Sequence, residues 1–446
     1  MNNSKGILSN LGVHIPKIML PKSSYDLSAW AVVACDQYTS EREYWNNVGS
    51  ITSGKPSTLN IIFPEVYLED EESDKRIDSI NNTMCKYVEE KVINELDDCF
   101  VLIDRKTSCA DSRKGLMIAL DLEYYDYTKG SSAIIRATEG TVIDRLPPRI
   151  KIRQNASIES PHIMVLIDDP DKTVIEPLFK KVASLDILYD FDLMMNGGHI
   201  KGYKVSDQSD ISAIASALSQ LAQKDCFSRK YDISCDNDIL LFAVGDGNHS
   251  LASAKGHWEN VKATLSTEEQ QNHPARYALV ELVNVHDDGL VFEPIHRVVF
   301  NVNADDLLKE FDAYYSANAQ VGSSKAATSD SCAIQSSVHS FRYVTASAIG
   351  TITINNPISN LEVGTLQTFL DSYIKTHPEV KIDYIHGEEV VEKLGSQPGN
   401  IGIYLPSMNK TDLFKTVILD GALPRKTFSM GEAEEKRFYL ECRKIR

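Results

Sequence analysis

The sequence predicts an α+β fold arranged as two lobes, and three observations lead there. The chain has 446 residues, more than one ordinary compact domain holds and few for three. Short apolar runs of strand length are mixed with amphipathic stretches at helical spacing, and the strands read as antiparallel neighbours. No Gly-x-Gly-x-x-Gly follows a strand, which argues against a dinucleotide-binding doubly wound sheet. There is no internal repeat. The lobes are expected at 1–230 and 231–446, interleaved.

The elements follow in chain order. Ile15–Leu20 and Trp30–Ala34 are strand-sized apolar runs separated by a Pro-Lys-Ser-Ser-Tyr-Asp turn. Ser40 with Glu43 reads as a capping box opening a helix over Glu41–Val48. Asp70–Leu96 carries Ile77, Ile80, Met84, Tyr87 and Val88 at helical spacing and predicts a surface helix. Strands are expected at Phe100–Asp104, Met117–Leu122, Ser132–Arg136 and His162–Asp168. A helix is expected at Ile211–Leu221. The apolar strand Ile239–Val244 precedes a helix at His249–Trp258, and strands follow at Ala278–Val285 and Val291–Phe300. Ala317–Ser340, rich in Ser and Ala, reads as a loop or insertion. The remainder mixes helix-like and strand-like pieces and ends in the charged segment Gly431–Arg446.

Composition is that of a globular protein: 42% hydrophobic and 24% charged, so large cores are available. Lysine plus arginine number 46 against 63 aspartates and glutamates, a net charge of −17. That field repels polyanions and argues against a nucleic-acid binder. It leaves room for a small anion in a local cationic pocket. Met1–Asn10 lacks the apolar core of a signal peptide, and no apolar run is long enough to span a membrane. The eight cysteines form no Cys-x-x-Cys pair, so free thiols in a reducing, cytoplasmic setting are expected.

Four segments have residue types suited to chemistry. In Val244-Gly-Asp-Gly-Asn-His-Ser-Leu-Ala-Ser-Ala-Lys255 an apolar strand enters a glycine turn at Gly245-Asp246-Gly247, and a helix opens at Asn248-His249-Ser250. Free N–H groups and the dipole at such a helix start suit a phosphate. Asp246 is placed to hold a metal or orient His249; it or Asn248 could equally be a simple cap. Pro424-Arg425-Lys426-Thr427-Phe428-Ser429-Met430-Gly431 gathers cations and hydroxyls suited to an oxyanion, or forms a basic surface loop. The block from Arg136 to Arg153 holds Arg136, Arg145, Arg149, Lys151 and Arg153. Read as a strand, Arg149, Lys151 and Arg153 share one face between isoleucines. In Ala34-Cys-Asp36-Gln37-Tyr-Thr-Ser-Glu41 a carboxylate stands between an apolar strand and a helix, a place for a general base or a helix-initiating Asp. His199, in Asn196-Gly-Gly-His-Ile-Lys201, has the flavour of an anion site. Gly49-Ser-Ile-Thr-Ser-Gly54-Lys55-Pro56 imitates a P-loop but has Pro56 where a hydroxyl belongs. No His-Glu-x-x-His or Gly-x-Ser-x-Gly occurs.

Together these segments resemble a known family. Gly-Asp-Gly-Asn-His-Ser-Leu-Ala-Ser-Ala is similar to the Asp-Gly-His-His-Arg signature of the ParB/sulfiredoxin superfamily. The Arg-Ala-Thr-Glu-Gly-Thr block, Pro294-Ile-His296-Arg297-Val-Val and the Pro-Arg-Lys-Thr-Phe stretch resemble the large family first labelled domain of unknown function 1015. The resemblance runs from about Ile15 to Ile445 and lies in the order of the motifs. It implies a ParB/sulfiredoxin-like catalytic core with an additional mixed α/β lobe, distantly similar to free-serine kinases.

The activity implied is transfer of a phosphoryl group from pyrophosphate to L-serine, with Mg²⁺ as cofactor. The resemblance implies Asp36 as base beside Gln37 and Glu41, and His249 and Asp246 as catalytic, with Asp246 also the metal ligand. It implies Arg136, Thr138, Glu139, Arg145, Arg149, Asn248, Ser250, His199, Lys201, Arg425, Lys426, Thr427 and Ser429 as substrate contacts. Asn248 stands where the signature has its first His, and Ser250 where it has Arg. One of the arginines from 136 to 153 must then replace that guanidinium. Partners are small molecules only, with the chain a monomer or homodimer. The alternatives are an ATP- or ADP-dependent serine kinase or phosphoserine phosphatase on the same fold, and a non-catalytic ParB-like binder.

Overall fold

The strand Phe100–Lys106 sends Phe100 and Leu102 into one hydrophobic core and Val101 and Ile103 into another. This is the period-2 alternation of a strand covered on both faces. Its neighbour Arg113–Asp121 does the same, with Leu116, Ile118 and Leu120 on the first side and Met117 on the second. The sheet they belong to has 10 strands, in the order 187–192, 199–205, 100–106, 113–121, 277–284, 164–167, 242–246, 135–137 and 125–126, with Val13–His14 added beside 113–121. It is mixed: Met164–Ile167 runs parallel to Tyr277–Asn284 and antiparallel to Phe242–Asp246, which runs parallel to Ile135–Ala137. The computed structural model describes residues 2–322, 338–355 and 357–446. Its class is α+β.

One core is closed by the helices Gln208–Leu221 and Asn248–Lys262, through Ile211, Ile214, Leu218, Leu251 and Trp258. The other is closed by Trp30, Trp45, the helix Ser73–Glu89 and the returning residues Phe438, Tyr439, Leu440 and Ile445. Ser73–Glu89 buries Ile77, Ile80, Met84 and Tyr87, the stripe its spacing predicts.

The chain forms two compact units: residues 1–291 with 430–446, and residues 292–429. The expected boundary at 230/231 falls inside the first unit, because Phe242–Asp246 and Tyr277–Asn284 are interior strands of its sheet. Residues 430–446 are held there by ladders from Phe438–Tyr439 to Val32–Val33 and from Arg443–Lys444 to Ile158–Glu159. A buried charge network reinforces them: Arg437 pairs with Glu281 and Glu441. Arg105 and Arg113 donate to the carbonyls of Glu434 and Glu435 at 3.2 and 3.1 Å.

The second unit has an antiparallel sheet in the order 349–355, 338–344, 400–404, 296–300 and 381–385. Its helices include Ala304–Gly322, Glu362–Thr376, Glu388–Gly395 and Lys410–Asp420. Of the expected Ser/Ala-rich loop, 317–322 is helical and 338–340 is strand, while 323–337 lies outside the described residues.

Three local expectations are corrected. Trp30 ends a short helix, Leu27–Trp30, because Asp26 accepts from the N–H groups of Ser28 and Ala29; only Val32–Val33 is strand. The helix after Asp36 is Arg42–Thr52, and its N-cap, Glu41, makes no side-chain cap, so no capping box forms from Ser40 and Glu43. Leu146–Gln154 is a helix, not a strand. Pro147 and Pro148 lack the N–H a ladder needs, but the first helical turn leaves those donors unused. Helix geometry then separates Lys151 from Arg149 and Arg153. Arg149 pairs with Glu65, Lys151 with Asp74 and Arg153 with Glu159.

Among the described residues no helix is long and apolar enough to cross a membrane. Every cysteine among them is a free thiol; Cys332 lies outside.

Candidate functional site

Two stretches distant in sequence are brought together in the first unit. The strand Phe242–Asp246 runs directly into the helix Asn248–Lys262 through one residue, Gly247, at φ +78°. A side chain there would be strained by that φ and would bring its Cβ to 3.0 Å from the Ile163 backbone. Gly247 provides no side-chain cap, so the N–H groups of the first turn stay open, as an anion site requires. The strand extends through Asp246, so the turn is shorter than the expected Gly-Asp-Gly.

Asn248 is latched to the neighbouring strand end: its Oδ1 accepts from Thr138 N at 3.2 Å, and Thr138 Oγ1 donates to Val244 O at 2.6 Å. His249 Nε2 accepts the Val142 N–H at 3.3 Å. Burial lowers the His249 pKa, aided by the charges of Arg149 and Arg145 and opposed by Asp36. Glu139 follows Thr138 in the loop, and Ser250 lies in the first helical turn, half-buried.

Asp36 sits in the turn after Val32–Val33. Its Oδ1 accepts from Gln37 Nε2 at 3.0 Å, and its Oδ2 lies 3.7 Å from His162 Nε2. Burial alone would raise its pKa, but His162, the Gln37 hydrogen bond and the charge of Lys436 outweigh it and hold the pKa below the usual carboxylate value. Its side chain remains 31% exposed. Lys436 also pairs with Asp246 at 3.2 Å, so one ammonium acts on both carboxylates. Behind Asp36, Tyr439 Oη accepts from Cys35 N at 3.2 Å and lies 2.6 Å from His162 Nδ1. Glu41 is exposed, and its charge acts on Tyr38 and Tyr44.

Several expected contacts serve other ends. Arg136 is buried and spends its guanidinium on the carbonyls of Ala133, Asp238 and Ile239, a staple between loops. His199 is held between Asp190 and Asp192 at 2.7 Å each, and Lys201 pairs with Asp190 at 2.8 Å. Two carboxylates on one imidazole repel an anion. In the second unit, the carbonyls of Arg425 and Lys426 turn inward onto the buried Arg297 guanidinium at 3.0 Å. Arg425 itself pairs with Asp371 and Tyr384, and Thr427 donates to Pro424 O. Ser429 lies in a short ladder with Glu293.

For Mg²⁺ the relevant group is Asp246. Among the described residues no three or more His, Cys, Asp or Glu side chains gather as a ready-made metal cage. Mg²⁺ typically takes one or two carboxylates together with substrate phosphates. Asp246, 26% exposed at the mouth of the open helix start and neutralised by a single lysine, fits that use.

Lys436, His162 and Tyr439 were not among the residues the sequence singles out. His162 follows Ser160-Pro161 at the start of an apolar strand and reads as ordinary core. Lys436 is one cation in a mixed-charge run.

The first unit is thus an α+β unit with an uncapped helix N-terminus, a geometry suited to an anion. The chain matches the family described as "Protein of unknown function (DUF1015)" over residues 18–373, and it belongs to that family. No curated protein matches it. Among solved structures it is similar to a free serine kinase in complex with AMP, at 10% identity and TM-score 0.35, covering 77% of this chain and 95% of that one. A variant of free serine kinase in complex with ADP gives the same four values. A conserved hypothetical protein from Pyrococcus furiosus is similar at 10% identity and TM-score 0.32, with 72% and 93% covered.

Proposed function

We propose that the chain is a phosphotransferase that forms O-phospho-L-serine and phosphate from L-serine and pyrophosphate. The observation that carries this reading is that Asp36, its pKa held low, lies within electrostatic reach of His249 at an uncapped helix start and of Lys436, which pairs with Asp246.

In the reaction, the serine hydroxyl oxygen bonds to one phosphorus of pyrophosphate as the bridging P–O bond breaks. Asp36 accepts the hydroxyl proton, and phosphate leaves. The first-turn N–H groups of Asn248, His249 and Ser250 hold the transferring group. His249 accepts at Nε2, so its ring proton is on Nδ1, available to an oxyanion. Lys436 and Arg145 supply the positive charge. Mg²⁺, held by Asp246 and donor oxygens, would neutralise charge on the donor. Phosphoryl transfer asks mainly for positioning and charge neutralisation, which matches this inventory.

Pyrophosphate is favoured over a nucleotide by the missing nucleotide motifs and by Ser250 in place of an arginine. The experiment is incubation of pure protein with serine and, separately, pyrophosphate, ATP or ADP, with phosphoserine read by phosphorus NMR. Phosphoserine with pyrophosphate supports the reading. Turnover with ATP or ADP alone transfers it to a nucleotide-dependent kinase, and none with any donor refutes it.

A further inference from the structure

The imidazole of His162 is 9% exposed, lies outside the phosphate cradle and directs one ring nitrogen at Asp36 and the other at a buried phenol. We propose that Tyr439 fixes the tautomer of His162, and that His162 Nε2–H is the positioning group that orients the Asp36 carboxylate; this rests on the phosphotransferase reading above.

Tyr439 is buried, and the ladder between Tyr439 and Val32 ties it to the strand that leads into Asp36. Its Oη already accepts the Cys35 N–H at 3.2 Å, and His162 Nδ1 lies 2.6 Å away. The phenol has one proton to donate and is kept protonated, because burial, with Cys35 and Asp36 nearby, holds its pKa far above the ordinary value. With an incoming donor on the oxygen, that proton goes to Nδ1. In the neutral imidazole Nδ1 is then the acceptor and Nε2 carries the hydrogen. The rings meet edge-on at 85°, with centroids 5.4 Å apart.

Nε2 is 3.7 Å from Asp36 Oδ2, longer than a hydrogen bond. Catalytic hydrogen bonds are commonly long in the free enzyme and tighten when substrate arrives. On the other side Gln37 holds Oδ1. The carboxylate is thus steered at both oxygens, with its remaining lone pairs left for the substrate hydroxyl. The charged and titratable groups around this assembly are Lys436 and His249 facing Asp36, and Glu65 and Arg149 acting on Cys35. The hydroxyl proton stops on Asp36. Neither His162 nor Tyr439 gains or loses a proton in this step. His162 is a positioning residue.

The test uses the full chain and three variants: Tyr439→Phe, His162→Gln and His162→Ala. Nitrogen-15 NMR of the histidine rings reads the tautomer with no need for turnover. Wild type should show His162 with its proton on Nε2, and Tyr439→Phe should lose that preference. In the kinase assay His162→Ala should lower kcat by about 100-fold, the cost of a misplaced catalytic group, at unchanged donor KM. His162→Gln keeps an N–H near the Nε2 position and should recover most of the loss. Tyr439→Phe should move the acid limb of kcat. An Nδ1-protonated His162 in wild type overturns the proposal whether or not the protein is a kinase. So does a His162→Gln variant no better than His162→Ala at equal thermal stability. Absence of phosphoserine with every donor, with the tautomer as stated, refutes the catalytic role but leaves the tautomer assignment standing. If Tyr439→Phe does not fold, the wild-type tautomer and the two His162 variants decide.

Discussion

Val142 gives its backbone N–H to His249 Nε2 at 3.3 Å, which fixes that imidazole as neutral with its proton on Nδ1. Burial lowers the His249 pKa below its ordinary 6.5, so the neutral form persists to more acid pH than in a free histidine. The acid limb of kcat/KM should therefore be centred below 6.5. An acid limb centred at or above 6.5 would rule out neutral His249 as the working form.

Asp36→Asn keeps size and hydrogen bonding but removes the proton acceptor. Turnover should fall by about two to four powers of ten, the usual worth of a general base. Pyrophosphate binding, measured by calorimetry, should survive, since other residues make the cradle. Glu41→Gln should retain near-normal turnover; collapse there with normal Asp36→Asn would move the role to Glu41.

Lys436 pairs with Asp246, and its charge also acts on Asp36. Lys436→Met should weaken pyrophosphate binding by about 10- to 100-fold, the scale of a lost charge-assisted hydrogen bond. It should also make binding depend more steeply on Mg²⁺, because Asp246 loses its counter-charge. Unchanged affinity in a calorimetric titration would remove Lys436 from the site.

Arg437 is 2% exposed between Glu281 and Glu441. Arg437→Met removes the guanidinium that pairs with both buried carboxylates. Denaturant unfolding should show a loss of roughly 3–5 kcal/mol, as for other broken buried pairs. A loss under about 1 kcal/mol, the range of exposed pairs, would mean that water reaches the network.

His257 is buried, and burial with the charge of Arg153 drives its pKa from 6.5 down to about 4. Between these values the unfolded chain binds a proton that the folded one does not, so stability rises with pH across that window. The contribution is complete above 6.5, erodes as pH falls, and stops changing below about 4. Replacing His257 with Gln should remove one proton from the slope of unfolding free energy against pH over that interval. An unchanged slope would show that His257 titrates normally.

Much of the fold was legible because burial dictates periodicity. Ile77, Ile80, Met84 and Tyr87 are spaced for a helix and are the residues that helix buries. The helix ends earlier than expected, because Lys91 adopts φ +53° and the chain turns into the strand Ile93–Glu95. The arginine block was misread because Ile150 and Ile152 alternate with cations as in a strand, while two prolines ahead of them decide for a helix. The strand-to-helix junction that places Asn248 and His249 was legible from the apolar run before it and the glycines within it. His162 and Tyr439 were not, since each looks like core when its partner is 277 residues away. Lys436 was hidden in a run of charges that composition assigns to solvent.

Residues 292–429 interrupt the first unit, and its sheet-capping segment, with Lys436, Arg437 and Tyr439, comes only after them. During synthesis the ribosome must therefore deliver the whole second unit before the first can close. Until then Glu281 lacks the guanidinium of Arg437, and Val32–Val33 lacks its paired strand. A nascent or prematurely released chain ending before residue 430 exposes that unpaired edge and has neither Lys436 nor Tyr439. The order of the chain thus acts as a completeness check, tying assembly of the site to synthesis of residues 430–446.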